Sequence, residues 1–435
     1  MADLSRYRDA IHAYLMDHRE EMVVLLQQLI QIPSLSVSPQ QEECQDLLDS
    51  KMRQMGLEID RWIPDWQEVQ QTINPRTHCT VYQPIELTNS AYLDTRDQVS
   101  TLVGIYDTGK AGKTMLFNGH IDVVSPEPLS DWTVDPWSGV VRDGRIYGRG
   151  SSDQKGGVVA MLYALKAVIA AGADLRGRIL LSVTQDEENG GNGAAAMVAR
   201  GYRADGGVIT DLSENNIYIS CIGMQRFKID ITGKAGFMGA ADEAVNAVDL
   251  MCEMVRSLRN FERARNEYAR KTFSFSAQTT AATVNTGRVE AGEWHASIPA
   301  KASISGLMGV LADDDLETFR RSFEQQLIPG PYEAWYAEHP PEVTYFGAKE
   351  GCMTPPDAPI VRAVEQAASL VRGRPVRGQH GSVATDMNYF VSTGTPCVHF
   401  GPGKVGHCAD ESLALEELWE ATEIMALSII TFLSE

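Results

Sequence analysis

Apolar positions near the start of the chain recur at helical spacing. Between Leu4 and Ile32 they fall at Tyr7, Ile11, Leu15, Met22, Leu25 and Leu29 and stop before Pro33, which predicts one amphipathic helix. A second is expected over 40–55. Apolar runs at 101–109 and 114–118 read as strands, and "GVVAMLYALKAVIA" at 157–170 is apolar on nearly every side, as a core helix is. Strand-like runs return at 178–185 and 207–210. Short apolar strands alternating with helices predict an α/β fold class, with a mixed, largely parallel sheet flanked by helices.

The texture changes near Cys221. "RFKIDITG" alternates apolar and polar residues, the pattern of a half-exposed strand. A helix over 244–261, alternating segments at 280–289 and 296–311, and a helix over 313–327 complete a smaller α+β unit. From about Gly351 the first texture returns, with a helix at 358–371, a strand at 396–400 and a helix at 413–433. The expected organisation is one domain from residues 1–222 and 349–435, interrupted by an inserted domain at 223–348.

Charge narrows the function classes. The 435 residues carry 38 basic and 58 acidic side chains, a formal net charge of -20. Binding nucleic acid or an anionic membrane needs clustered Lys and Arg, so neither is expected as a partner, whereas divalent cations suit such a chain. The seven cysteines are scattered and form no CxxC pair, which indicates neither a disulfide framework nor a cysteine zinc site. "MADLSRYRDAIHAYLMDHREEM" lacks the apolar centre of a signal peptide, and no apolar run approaches the ~20 residues of a membrane span. The expected location is the cytoplasm.

Candidate chemistry gathers where apolar runs end. "FNGHIDVV" puts His120 and Asp122 two residues apart at a strand end, on one face, where the carboxylate can hold a ring nitrogen. "YGRGSSDQKGG" presents Asp153 before a glycine entrance to the apolar helix. By itself that aspartate reads equally well as a helix cap. "LLSVTQDEENGG" breaks into Asp186, Glu187 and Glu188, "VITDLSE" ends in Asp211, and "HFGPGKVGHCADES" carries His407. Ligands of open α/β sheets bind at such carboxyl ends. Two histidines with Asp153, Glu188 and Asp211 form a nitrogen and oxygen set suited to zinc, cobalt or manganese.

The motifs "GHIDVV", "DPWSGVVRDGRIYGRGSSDQKGG", "DEENGG", "VITDLS", "ATDMNYF" and "FGPG...GHCADE" resemble, in order and over essentially the whole chain, the dinuclear zinc hydrolases that include acetylornithine deacetylase, succinyl-diaminopimelate desuccinylase, aminoacylase and carboxypeptidase G. The resemblance implies two divalent metal ions, most simply zinc. His120 and Asp211 would bind one, Glu188 and His407 the other, and Asp153 both. It further implies that Asp122 orients His120 and Glu187 is the general base. A cis peptide at Asp153–Gln154 is implied as well, as is a lid at 223–348 that forms the surface of a homodimer. Metals about 3.5–4 Å apart in such sites acidify a shared water, and the base takes its proton.

Two features depart from the family pattern. Phe237, in "TGKAGFMGAADEAVNA", stands where relatives carry a histidine that stabilises the oxyanion, often across the dimer. The arginine that relatives place near Leu307–Gly309 to bind a substrate carboxylate is missing. Asn285, Arg288, His295, Arg377 and His380 are the candidates to replace these functions. Asp211 leans towards aminopeptidase-like branches, and "GEWHASIPAK" towards acetylornithine deacetylase. The implied activity is metal-dependent hydrolysis of a C–N (amide) bond in a small acylated amine, amino acid or peptide. The alternatives are an aminohydrolase acting on a non-peptide amine, and a metal- or ligand-binding protein without catalysis.

Overall fold

The structure, a computed structural model, describes residues 4–36, 38–77, 98–276, 279–327, 330–404 and 406–434; Cys79 lies outside them. Among these residues a nine-stranded mixed sheet has strands Arg178–Thr184, Thr114–His120, Gly206–Ile209 and Cys397–His399 side by side at its middle, all parallel. Antiparallel strands extend it on both sides, Thr101–Asp107 and Glu58–Trp62 on one and Tyr218–Cys221 and Cys352–Met353 on the other. Alternate residues of Thr114–His120 serve opposite layers. Met115 and Phe117 pack with helices Gly156–Ala170 and Leu415–Leu433, while Leu116 packs with Asn192–Ala199 and Met387–Ser392. Burial on both faces is why these strands read as continuous apolar runs rather than alternating ones.

This layout places the site. From Thr114–His120 the chain passes through helix Gly156–Ala170 to the neighbouring strand Arg178–Thr184. It then returns through Asn192–Ala199 to Gly206–Ile209, on the other side of Thr114–His120. Connections that diverge to both sides of one strand open a crevice at its carboxyl end.

A separate four-stranded antiparallel sheet runs Val284–Ala291, Lys301–Val310, Gly223–Thr232, Glu342–Lys349. Phe227, Ile229, Ile231 and Ile304 on one face pack against Leu250, Met254, Phe319 and Phe323 of helices Ala247–Phe273 and Leu316–Gln325. Met224, Arg226 and Lys228 alternate onto the opposite face.

Two expectations change. The first helix is two, Leu4–Asp17 and Arg19–Ile30. His18 between them leaves helical geometry (φ -111, ψ 11) with its ring bonded to the Tyr14 carbonyl at 2.7 Å, an interruption apolar spacing does not record. The helix expected over 244–261 is Ala247–Phe273, starting where the Asn246 side chain accepts the Val248 amide. Val245, just before this helix, and Val255 within it pack against the sheet's own core.

Candidate metal centre

The five candidate ligands converge at the carboxyl end of the parallel strands. His120 ends its strand, Asp211 follows Ile209 by two residues, and Glu187 and Glu188 follow Thr184. Asp153 arrives from the turn before the apolar helix, and His407 from the loop after Cys397–His399. Donor atoms of His120, Asp153 and Asp211 lie within 4.8 Å of one another, and so do those of Asp153, Glu188 and His407.

Asp153 belongs to both groups. Its Oδ1 is 3.3 Å from His120 Nε2 and its Oδ2 is 3.4 Å from His407 Nε2. The N-cap of the apolar helix is Lys155, and Asp153 lies before it with its carboxylate between the two histidines. The Asp153–Gln154 peptide is cis. Two glycines make room. A Cβ at Gly157 would stand 1.9 Å from the Thr210 carbonyl oxygen, and one at Gly406 would stand 2.4 Å from Asp153 Oδ2.

The neighbouring glutamates part company. Glu188 Oε1 is 2.8 Å from His407 Nε2, whereas Glu187 Oε1 is 3.3 Å from the Nζ of Lys349. One side chain enters the ligand cluster and the other faces a lysine. Their backbone is held from beneath by Asp122, which accepts the Glu187 amide at 2.9 Å and the Glu188 amide at 3.2 Å. The same carboxylate takes the Ser36 hydroxyl at 2.6 Å and lies 3.3 Å from His120 Nδ1. Asp122 thus meets the histidine through its backbone carbonyl, 2.9 Å from Nδ1, as well as through its carboxylate, and pins the acid turn together.

Asp186 has a structural role that local sequence did not disclose. It is fully buried at positive φ (54°) and accepts a 2.8 Å bond from Gln41 Nε2. Other supports also come from afar. Glu411 Oε1 accepts the Ser152 and Asp153 amides at 3.0 Å, while its other oxygen binds buried Arg149. Asp386, in "ATDMNYF", accepts from Asn118 at 3.0 Å. Glu411 lies four residues beyond His407 in a quoted motif, a signal that was available; Lys349 had none.

The charges are unbalanced in a telling way. Burial and the charge of Asp153 raise Glu188 to about 8 and Asp211 well above the usual carboxylate range. Its hydrogen bond to Glu188 lifts His407 to about 9. Burial opposes a charged His120, but Asp122 and Asp153 raise its pKa well above the usual value. Carboxylates this close call for more positive charge than two imidazoles supply. Hard oxygen and imidazole donors, arranged as two groups sharing one carboxylate, fit two divalent cations.

The candidates proposed to contact substrate are dispersed. His380 is 3.1 Å from the Ser220 hydroxyl and packs edge-on against Phe273, and burial lowers its pKa. Arg377 is tied to Glu365 at the wall of a surface cavity of about 420 Å³. Arg288 pairs with Glu290, and His295 lies against Trp294. Asn285 sits opposite Leu307, whose other cross-strand neighbour is Arg226. An arginine thus does occupy the Leu307 row, on the adjacent strand. Phe237 is 66% exposed and offers no hydrogen-bond donor from its side chain.

The chain is similar to known proteins along nearly its whole length. The chain is 24% identical over 445 residues to N-formyl-4-amino-5-aminomethyl-2-methylpyrimidine deformylase of Halalkalibacterium halodurans, an alignment covering 97% of this chain and 96% of the relative. Aminopeptidase PepT from Bacillus cereus shares the fold, with a TM-score of 0.70 at 18% identity and coverage of 95% and 98%. A dinuclear metal-binding peptidase of family M20 from Bacillus subtilis, YXEP, superposes with a TM-score of 0.65 at 15% identity and coverage of 96% and 99%. Among the described residues no helix is long and apolar enough to cross a membrane. The profile of peptidase family M20/M25/M40 matches residues 116–431, and the chain belongs to that family, as a hydrolase of C–N bonds.

Proposed function

We propose that this protein hydrolyses the amide of a small N-acylated amine at a pair of divalent metal ions, zinc in the first instance. The observation that carries the reading is Asp153, whose two oxygens each face a different histidine at 3.3 and 3.4 Å. His120 and Asp211 would hold one ion, Glu188 and His407 the other, and Asp153 both. Two such ions polarise a carbonyl oxygen and acidify a water.

The chain's own residues do the rest. Asp122 holds His120 so that Nε2 faces the crevice. Glu187, turned away from the ligand cluster, receives the proton of the attacking water and passes it to the departing amine nitrogen. A ligand glutamate could not serve this way, because coordination would consume its basicity. The short acyl group is supported by the deformylase relative, which aligns along 97% of this chain.

For recognition of the substrate we favour Asn285 and Arg226. They share a sheet face with Lys349, which pairs with Met224, and the amine of Lys349 reaches the acid turn. Arg226→Ala is expected to raise KM about 10- to 100-fold for an anionic substrate, the scale of a lost hydrogen bond to a charged group, with kcat little changed. We further read residues 1–222 and 349–435 as the catalytic domain and 223–348 as a lid. The exposed Phe237 and Met238 suit a homodimer contact there. The free thiols of Cys221 and Cys352, with sulfurs 3.3 Å apart, suit the reducing cytoplasm.

One panel tests the reading. N-formyl and N-succinyl amines, N-acyl amino acids, dipeptides and amino-aromatic compounds are incubated with the zinc-, cobalt- or manganese-loaded protein, and released amine or ammonia is measured. Amine release from acylated compounds that is abolished by a chelator is expected. Ammonia from amino-aromatics alone would transfer the protein to the aminohydrolase reading.

A further inference from the structure

Lys349 is the last residue of its strand in the four-stranded sheet, yet it is only 2% exposed. A buried ammonium must recover the hydration it gives up. Its Nζ lies 3.3 Å from Glu187 Oε1 and 3.4 Å from the Thr385 carbonyl oxygen, and the Tyr389 ring centroid is 5.4 Å away. Glu187 brings a carboxylate to this setting, and the charge of Asp386 acts on the same ammonium. Gly191 closes the far side of the turn. A Cβ there would stand 3.1 Å from Nζ and 2.6 Å from Asp386 Oδ1, so lysine and aspartate back the same wall.

The acid turn is fastened in distinct ways. Asp122 grips its backbone, and His407 engages the Glu188 side chain. The Glu187 side chain is met by Lys349. One carboxylate oxygen is engaged, which restrains the group and leaves the second oxygen to meet a water. We propose that Lys349 is the positioning residue of Glu187 and, through its strand, ties the placement of the four-stranded sheet to the orientation of the base. A displacement of that sheet then misaligns proton transfer even where every metal ligand stays in place. This rests on the reading of Glu187 as general base.

The test compares Lys349→Met and Lys349→Arg with the unsubstituted protein and Glu187→Gln. Metal-loaded samples are assayed at saturating levels of the most active acylated amine from the panel, and metal content is measured on the same preparations. Metal-free samples are followed by hydrogen exchange of the peptide spanning Glu187–Gly191. Lys349→Met should lower kcat about 10- to 100-fold, the usual effect of removing a supporting partner, with KM and metal content unchanged. Exchange at Glu187–Gly191 should rise, and Lys349→Arg should keep most of kcat. Unchanged kcat or unchanged exchange in folded Lys349→Met overturns the proposal, as does a loss of kcat explained by lost metal. Should Lys349→Met fail to fold, Lys349→Gln takes its place under the same criteria. A fully active Glu187→Gln protein would instead overturn the base assignment itself, a result the lysine variants do not mimic.

Discussion

Two loops of this molecule obey opposite rules. The acid turn, Asp186 to Glu188, is tied to side chains from four distant parts of the chain: Gln41, Asp122, Lys349 and His407. The segment Met238–Glu243 in the four-stranded unit has no buried residue, and Phe237 and Met238 before and at its start are 66% and 76% exposed. A turn fastened at several points by side chains from distant parts of the chain has few positions open to it, which is what metal ligands and a proton acceptor need. An exposed apolar loop can change its side chains without disturbing a core. The first region is therefore built to hold reacting groups in place, and the second carries no such constraint.

The comparison breaks first at the acids themselves. Asp153→Asn should abolish turnover by emptying both metal groups, whereas Glu187→Gln should lower kcat about 10²- to 10⁴-fold while metal content stays the same. Metal analysis beside steady-state kinetics separates them. If Glu187→Gln lost metal instead, the two glutamates would have exchanged roles. Next comes Glu411→Gln, which weakens the grip on the Ser152 and Asp153 amides without touching a ligand. Metal affinity should fall about 10- to 100-fold by competition with a chromogenic chelator.

A pH effect sharpens the same contrast. Glu188 is raised from 4.5 to about 8 and His407 from 6.5 to about 9. Both folded-state values exceed the unfolded ones. Their contribution to stability is therefore complete below the unfolded values and is lost as pH climbs through 8 and 9. The Tm of metal-free protein should drop from pH about 6 to about 9.5. Saturating zinc should blunt that drop, because bound cations favour the deprotonated carboxylates and neutral imidazole. The smallest effect belongs to the exposed loop. Phe237→Ser should change stability by no more than about 0.5 kcal/mol by denaturant titration, and it should act on oligomeric state or KM rather than on metal content.

Much of this was legible in the residues. Continuous apolar runs announced strands buried on both faces, alternation announced the smaller sheet, and acids and histidines at run ends marked the crevice. What local pattern omitted was the break at His18, where a side chain competes for a backbone carbonyl, and the packing of Val255 on a helix whose burial depends on a sheet elsewhere. The sequence by itself determined the alternation of elements and the ligand types brought to one sheet edge, because both follow from local periodicity and from where strands end. Only the tertiary structure decided that Glu187 meets Lys349, 162 residues away, that Glu411 holds Asp153 from 258 residues away, and that Arg226 stands beside Leu307. Such contacts depend on strand register and on how layers pack, and a one-dimensional pattern carries neither.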